Sequence, residues 1–148
     1  MKLGLITTGI LQHGFEDGLD VAQALALDMI EPGCGGFHPK TYADPAALLA
    51  DASALARWRE AIAARELAIS ALAIHGAPLA PDPAEAAAYA REFEDTCRLA
   101  ERIGVDRREL RYGRVEGHQA FPIAFARLER SSCPPAAPRT RVGRQGLT

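Results

Sequence analysis

LAISALAIHGAP, residues 67–78, is the stretch that decides the fold. Its first eight residues are small or apolar apart from Ser70, and a His-Gly-Ala-Pro segment then ends the run. An apolar run of this length between turn residues is typical of a strand buried on both faces, as in a parallel sheet, although periodicity alone also allows a buried helix. The charged pair just before the stretch and the Gly and Pro at its end favour the strand.

His75 would lie at the carboxyl end of this strand. Loops at that end of a parallel sheet converge over its open edge, which is where α/β folds place their ligands. A titratable ring in that place predicts a functional side chain. The alternative is a histidine that only caps the strand through a backbone hydrogen bond, and position alone leaves both interpretations open.

The composition is that of one globular domain. The chain has 148 residues, of which 48% are hydrophobic and 24% charged, as in ordinary soluble proteins. It has no run near the roughly 20 apolar residues of a membrane span, and its first residues lack the pattern of a signal peptide. The three cysteines form no CxxC pair, so they predict neither a disulfide framework nor a thiolate zinc site. We therefore expect a cytoplasmic protein that does not enter a membrane.

Strands and helices are predicted to alternate along residues 1–106. Asp44-Pro45 and Asp82-Pro83 predict helix starts, because Asp accepts hydrogen bonds from free first-turn amides and Pro suits the first helical position. Helices are expected over 15–27, 44–64 and 82–103, with Gly104 ending the last, and strands near residues 2, 28, 67 and 105, with a glycine-rich loop at 33–36. This alternation predicts right-handed crossovers and a parallel sheet, an α/β fold.

Residues 107–148 differ in composition from the residues before them. Residues 1–106 carry 8 Lys and Arg against 16 Asp and Glu, a charge of −8, whereas 107–148 carry 9 Arg against 3 Glu, a charge of +6. The second segment has no clear periodicity apart from 121–128, so we expect an irregular, disordered basic tail. One hypothesis is a tail that recruits an anionic partner, although the lack of interleaved aromatics disfavours nucleic acid. The other is a frame change in a GC-rich coding sequence, which comparison of its three reading frames would test.

Four segments within residues 1–106 resemble the sugar phosphate isomerase/epimerase group, the xylose-isomerase-like (β/α)8 barrels related to the second family of AP endonucleases. They are KLGLIT at 2–7, MIEPGCGGFHP at 29–39, LAISALAIHGAPLAPDP at 67–83 and RLAERIGVD at 98–106. The resemblance implies a partial TIM barrel of about three β-α units plus a possible fourth strand. It also implies loops that bind a divalent metal (Mn, Mg, Co or Zn) and a sugar or sugar phosphate, with proton or hydride transfer between adjacent carbons.

Substrate-binding roles are predicted for four side chains, of which two match residues of the family. His75 matches the histidine that ends the third strand, a metal ligand in the endonucleases and more often a substrate contact in the epimerases. Glu31 matches the acidic residue of the second strand, the alternative being a buried carboxylate held by neighbouring groups. His38 could hydrogen-bond a substrate hydroxyl, the alternative being a solvated loop residue. Thr8 could also hydrogen-bond a substrate, the alternative being a hydroxyl with a structural role.

The length of the segment limits what the resemblance implies. A (β/α)8 barrel needs roughly 250 residues, and the metal-binding Glu and Asp of the family lie on strands of its second half. His75, the tentative metal ligand, and Glu31 cannot complete the usual ligand set. We therefore expect an inactive N-terminal part of an isomerase or epimerase, truncated or frame-shifted, that self-associates through exposed sheet edges. The alternatives are a non-catalytic α/β binding module with a recruiting basic tail, and a half-barrel that dimerises into a complete barrel.

Overall fold

Parallel strands alternate with helices along residues 2–77, 79–105 and 108–112, which are the residues described by the computed structural model. The order is β1 (Gly4–Ile6), a 3-10 turn (Thr7–Ile10), α1 (Phe15–Ala24), β2 (Met29–Glu31), β3 (Gly33–Gly36), α2 (Pro45–Ala50), α3 (Ala52–Ala63), β4 (Ala68–Ile69), β5 (Leu72–Gly76), α4 (Pro83–Ile103) and β6 (Arg108–Tyr112). The α/β class predicted from the sequence is confirmed.

The strands of the described residues form two parallel sheets of three strands each. β2 lies between β1 and β4 in one sheet, and β5 lies between β3 and β6 in the other. Two backbone hydrogen bonds connect the sheets at the point where they meet. The Ser70 amide donates to the Ile30 carbonyl and the Ala73 amide donates to the Pro32 carbonyl, each at 2.9 Å. If β2 with β3 and β4 with β5 are each taken as one interrupted strand, the spatial order β1, β2–β3, β4–β5, β6 is also the order in the chain.

The single strand predicted within residues 67–78 is divided into β4 and β5. Ala68 lies opposite Met29 and Ala73 lies opposite Gly33. Between these two pairs the later strand uses one more residue than the earlier strand, which is the signature of a β-bulge. The prediction of a strand rather than a helix is confirmed. The prediction of one continuous strand is wrong, because the register shifts between β4 and β5.

The glycine-rich segment 33–36, predicted as a loop, is strand β3. Glycine has a low intrinsic β propensity, but β5 supplies hydrogen-bond partners for this backbone, with Gly33 opposite Ala73 and Gly36 opposite His75. The predicted second strand therefore continues beyond Pro32, with a break at the proline, which has no N–H to donate.

The helix predicted over 44–64 is two helices. Asp44 caps α2 as expected, with its carboxylate accepting from the Ala47 amide at 3.4 Å. Asp51 then leaves helical geometry (φ −125°, ψ 105°). Its carboxylate accepts from the Ser53 and Ala54 amides at 2.8 and 3.1 Å, so it caps α3 and begins a new helix.

The other predicted helices keep their starts. The helix predicted over 15–27 begins at Phe15 and ends earlier, at Ala24. α4 has the predicted bounds, because the Asp82 carboxylate accepts from the Ala84 amide at 2.9 Å and Gly104 ends the helix with a left-handed φ of 76°. No helix in the described part of the chain is long and apolar enough to cross a membrane.

The core lies between the sheets and the helices that cover them. Ile30 and Leu72 on the strands are fully buried, as are Leu19 on α1 and Leu99 on α4. Trp58 on α3 packs in the same cluster and donates from Nε1 to the Tyr42 carbonyl at 2.7 Å. This packing fixes the strands whose carboxyl ends carry the predicted site residues.

The fourth strand begins later than predicted. It was expected from Val105, whereas β6 runs over Arg108–Tyr112 and pairs with β5. This strand falls within the first residues of the segment 107–148 that was predicted to be a disordered tail. The rest of that prediction, including the periodic segment 121–128, lies outside the described residues.

Candidate functional site

Two of the predicted site residues, His38 and His75, are in contact. Nε2 of His38 lies 2.6 Å from Nδ1 of His75, and the ring centroids are 4.4 Å apart. At this distance the two nitrogens share one hydrogen, so one ring donates and the other accepts, and the contact forms with either ring as the donor. Two imidazoles linked in this way can take up a proton on one ring and release it from the other.

The backbone around Gly36 brings the two histidines together. The Phe37 amide donates to the His75 carbonyl at 2.5 Å, and the His38 amide donates to the Gly35 carbonyl at 3.2 Å. Gly36 has a φ of 68°, and a Cβ at this position would overlap the His75 carbonyl oxygen. Glycine is therefore required here, both for the left-handed backbone and for the close approach of the loop to β5.

Thr7, one residue before the predicted Thr8, lies beside this pair. Its hydroxyl oxygen accepts from the Gly33 amide at 3.0 Å, and its side chain is 1% exposed. A Cβ on Gly33 would lie 3.3 Å from Cβ of His38 and 3.8 Å from Oγ1 of Thr7, so these residues are packed together. Thr8 follows in the same 3-10 turn and is half-buried. Its role in ligand binding stays a prediction.

Glu31 ends β2, opposite Ile6, and its Oε1 is buried. The carboxylate is close enough to Cys34 to act on it electrostatically. Burial, followed by the negative charges of Asp44 and Glu31, raises the pKa of the Cys34 thiol to about 12. A thiol with this pKa stays protonated at neutral pH, so Cys34 is a buried structural side chain rather than a nucleophile. The substrate-binding role of Glu31 stays a prediction.

Glu92 on α4 is a residue of this region that the sequence did not reveal. Its Oε2 accepts from the Gly36 amide at 2.7 Å, and its Oε1 lies 2.9 Å from Nζ of Lys40. The hydrogen bond to Glu92 is the main cause that raises the pKa of Lys40, which keeps that side chain charged. Glu92 lies 56 residues from Gly36 in the chain. Its position beside the apolar stripe of α4 was the one available signal.

An aromatic pair borders the histidines. Phe37 is 56% exposed, and its ring meets the edge of Tyr89 with centroids 5.5 Å apart. A Cβ on Gly76 would overlap the Tyr89 ring, so the glycine after His75 leaves room for this contact. The site therefore combines a polar histidine pair with a partly exposed apolar ring.

The described donors do not fit the divalent metal that the resemblance implies. Zinc-bound nitrogens lie about 2.0–2.1 Å from the ion, which in tetrahedral geometry places two of them roughly 3.4 Å apart. The facing nitrogens of His38 and His75 are 2.6 Å apart and are engaged with each other. Among the described residues, no group of three or more His, Cys, Asp and Glu side chains could hold an ion. A metal centre would need ligands from other residues, and the metal stays a prediction.

Comparison with known proteins adds one relative. No family model matches the chain. The chain is similar to the uncharacterized protein YfiH of Bacillus subtilis (strain 168), with 32% identity over 106 residues. The match covers 71% of this chain and 33% of YfiH, so the chain spans about a third of the length of this curated relative. The name of this relative states no activity.

Proposed function

We propose that residues 1–106 form the N-terminal part of a xylose-isomerase-like (β/α)8 barrel that acts on a sugar or sugar phosphate as an isomerase or epimerase. The parallel strand order supports this proposal. With β2–β3 and β4–β5 each counted as one interrupted strand, the spatial order follows the chain, as it does in the successive βα units of a barrel. The comparison supports it as well, since 106 matched residues are 33% of YfiH and leave that protein long enough for a barrel of roughly 250 residues.

The contact between His38 and His75 carries the proposal. It lies where β3 and β5 end, the edge at which barrels of this kind bind substrates. A proton that His38 receives at Nδ1 can pass from its Nε2 to Nδ1 of His75, which leaves His38 neutral and places the charge on His75. Movement of a proton between adjacent carbons needs such acid and base groups next to the substrate. In this proposal the chain supplies that part of the site, and any metal ligands come from residues outside the described ones.

Saturation-transfer NMR on the full chain tests the binding part of the proposal. The ligands are D-xylose, D-fructose and D-fructose 6-phosphate, each measured with the unmodified chain and with His38→Ala and His75→Ala. His13→Ala is the matched control, because His13 is a half-buried histidine in a different loop. We expect a saturation signal from at least one sugar, retained in the control and lost in both site variants. The proposal would be contradicted if none of the three sugars gave a saturation signal, or if His13→Ala lost the signal as fully as the site variants.

Thermal unfolding in Mn²⁺, Mg²⁺ and Co²⁺ tests the metal separately. Binding to the native state raises the unfolding temperature by mass action. The donor geometry of the described residues leads us to expect no shift that depends on His75. A shift that His75→Ala abolishes would show that the chain completes a metal site through residues beyond the described ones.

The proposal includes a cytoplasmic location and self-association through the edges of the open sheets. Sedimentation of the purified chain over a range of concentrations measures the second expectation. The alternative, a non-catalytic binding module, depends on its basic tail at 107–148, of which the structure describes only residues 108–112. That alternative predicts no sugar-dependent signal in the NMR experiment.

A further inference from the structure

We infer that Glu92 is a positioning residue, which holds the segment that carries His38 so that its ring meets His75. The inference deepens the proposed function and rests on it for the consequence in substrate binding. The contact itself can be measured without any substrate. Nothing in the resemblance assigns a role to this position on α4.

The two oxygens of one carboxylate hold both ends of the segment. Oε2 of Glu92 accepts from the Gly36 amide at 2.7 Å, two residues before His38. Oε1 lies 2.9 Å from Nζ of Lys40, two residues after His38. His38 is therefore at the centre of a short loop that is tied at each end to the same side chain.

The loop needs such an external contact because of its backbone. Gly35 and Gly36 have φ values of 121° and 68°, which residues with a Cβ rarely adopt. Because glycine has access to many other backbone conformations, it does not hold these angles by itself. A Cβ on Gly35 would lie 3.0 Å from Oε2 of Glu92, so the carboxylate also packs against this glycine. Without Glu92 we expect the loop to sample other conformations, and His38 to move with it.

α4 is a rigid base for the carboxylate. The helix is 21 residues long, is capped at both ends, and buries Leu99 and Ala100 completely in the core. Glu92 is itself held at its own turn, since Thr96 one turn later donates its hydroxyl to the Glu92 carbonyl at 2.8 Å. Through the Glu92 side chain, the loop is thus held in a fixed position relative to the core of the protein.

A purely structural interpretation is that Glu92 and Lys40 form a surface ion pair of little consequence. The side chains are 31% and 35% exposed, and ion pairs at such exposure contribute little to stability. A stability measurement therefore separates the two interpretations poorly. The hydrogen bond between the His38 and His75 rings separates the two interpretations directly, because loss of an isolated surface ion pair would not change that hydrogen bond.

Imidazole nitrogen NMR on the ¹⁵N-histidine-labelled full chain is the test. Glu92→Ala removes both contacts, and Glu92→Gln keeps an oxygen for the Gly36 amide but loses the charge next to Lys40. Glu94→Gln is the matched control, because Glu94 lies on the same helix and pairs with Arg98 at 3.4 Å. We expect Glu92→Ala to shift the ring signals of His38 and His75 toward those of unlinked imidazoles, Glu92→Gln to shift them less, and the control to leave them in place.

Unchanged His38 and His75 signals in a folded Glu92→Ala chain would overturn the inference. If that variant does not fold, Lys40→Met releases one end of the loop while the Gly36 contact remains. We expect a smaller shift of the same two signals in Lys40→Met, and an absence of any shift would again overturn the inference. Shifted ring signals in a chain that binds no sugar would support the role of Glu92 and count against the proposed function alone.

Discussion

Replacing Gly36 with Ala should be one of the most damaging single-methyl changes in the chain. A left-handed φ of 68° costs a residue with a Cβ about 1 kcal/mol relative to glycine. The new Cβ would also overlap the His75 carbonyl oxygen, so β3 must move away from β5. That movement loses the Phe37-to-His75 hydrogen bond and weakens the Gly36-to-Glu92 hydrogen bond, each worth about 1 kcal/mol. We expect Gly36→Ala to lower the free energy of unfolding by about 3 kcal/mol.

Gly104→Ala is the matched control for this prediction. Gly104 also has a left-handed φ, of 76°, but no described atom lies within 4 Å of its added Cβ. Only the conformational cost of about 1 kcal/mol applies there. Urea unfolding followed by the fluorescence of Trp58, the single tryptophan of the chain and a buried one, measures both variants. With a slope of about 1–3 kcal/mol per M, the Gly36→Ala midpoint should lie about 1 M below that of the control. Equal midpoints would refute the claim that this glycine is required by the approach to His75.

Three further predictions concern the packing around the site. Because burial raises the pKa of Cys34 from 9.0 to about 12, iodoacetamide should modify this thiol in urea but not in the native chain, as peptide mass spectrometry would show. The stability from burying the neutral thiol is present below pH 9 and is lost as the pH rises toward 12, so Cys34→Ala should flatten that part of the stability curve. The Arg65 guanidinium binds two carboxylates of α1 at 2.5 and 2.8 Å, so Arg65→Met should lower stability by about 1 kcal/mol, and by less at high salt; a loss independent of salt would contradict this. Gly18→Ala places a Cβ on the Tyr42 hydroxyl, which donates to the Ile10 carbonyl at 3.0 Å, and should cost about 2 kcal/mol in urea unfolding.

Helix ends could be predicted because their signals are local. Asp82-Pro83 and Gly104 bound α4, and the contacts that fix them lie within one turn of the helix. The second cap at Asp51 was missed for the opposite reason. An Asp inside an apolar pattern suits an exposed helical position, and its carboxylate captures the amides of the next turn only because the backbone bends there.

The strand formed by residues 33–36 could not be predicted from its own residues. Gly, Cys, Gly and Gly give neither β propensity nor an alternating pattern, and the strand exists because β5 pairs with it. The same pairing sets which residues face each other at the edge. The sequence pattern predicts that His38 and His75 lie near strand ends. Their contact depends on the left-handed Gly36 and on the carboxylate of Glu92, 56 residues further along the chain, and no local pattern indicates either.

The two neighbouring threonines, Thr7 and Thr8, differ in burial, and their contributions to stability can be compared directly. The end of the first strand was predicted to present Thr8, whereas Thr7 turns inward and accepts from the buried Gly33 amide. Thr7→Val keeps the shape of the side chain but removes that acceptor, which should cost about 1–3 kcal/mol because a buried N–H loses its partner. Thr8→Val, in the same turn, should stay within about 0.5 kcal/mol, since the site of the change is partly exposed. Urea unfolding of the two variants compares them. If Thr8→Val were the more destabilising, the structural role given to the Thr7 hydroxyl would be wrong.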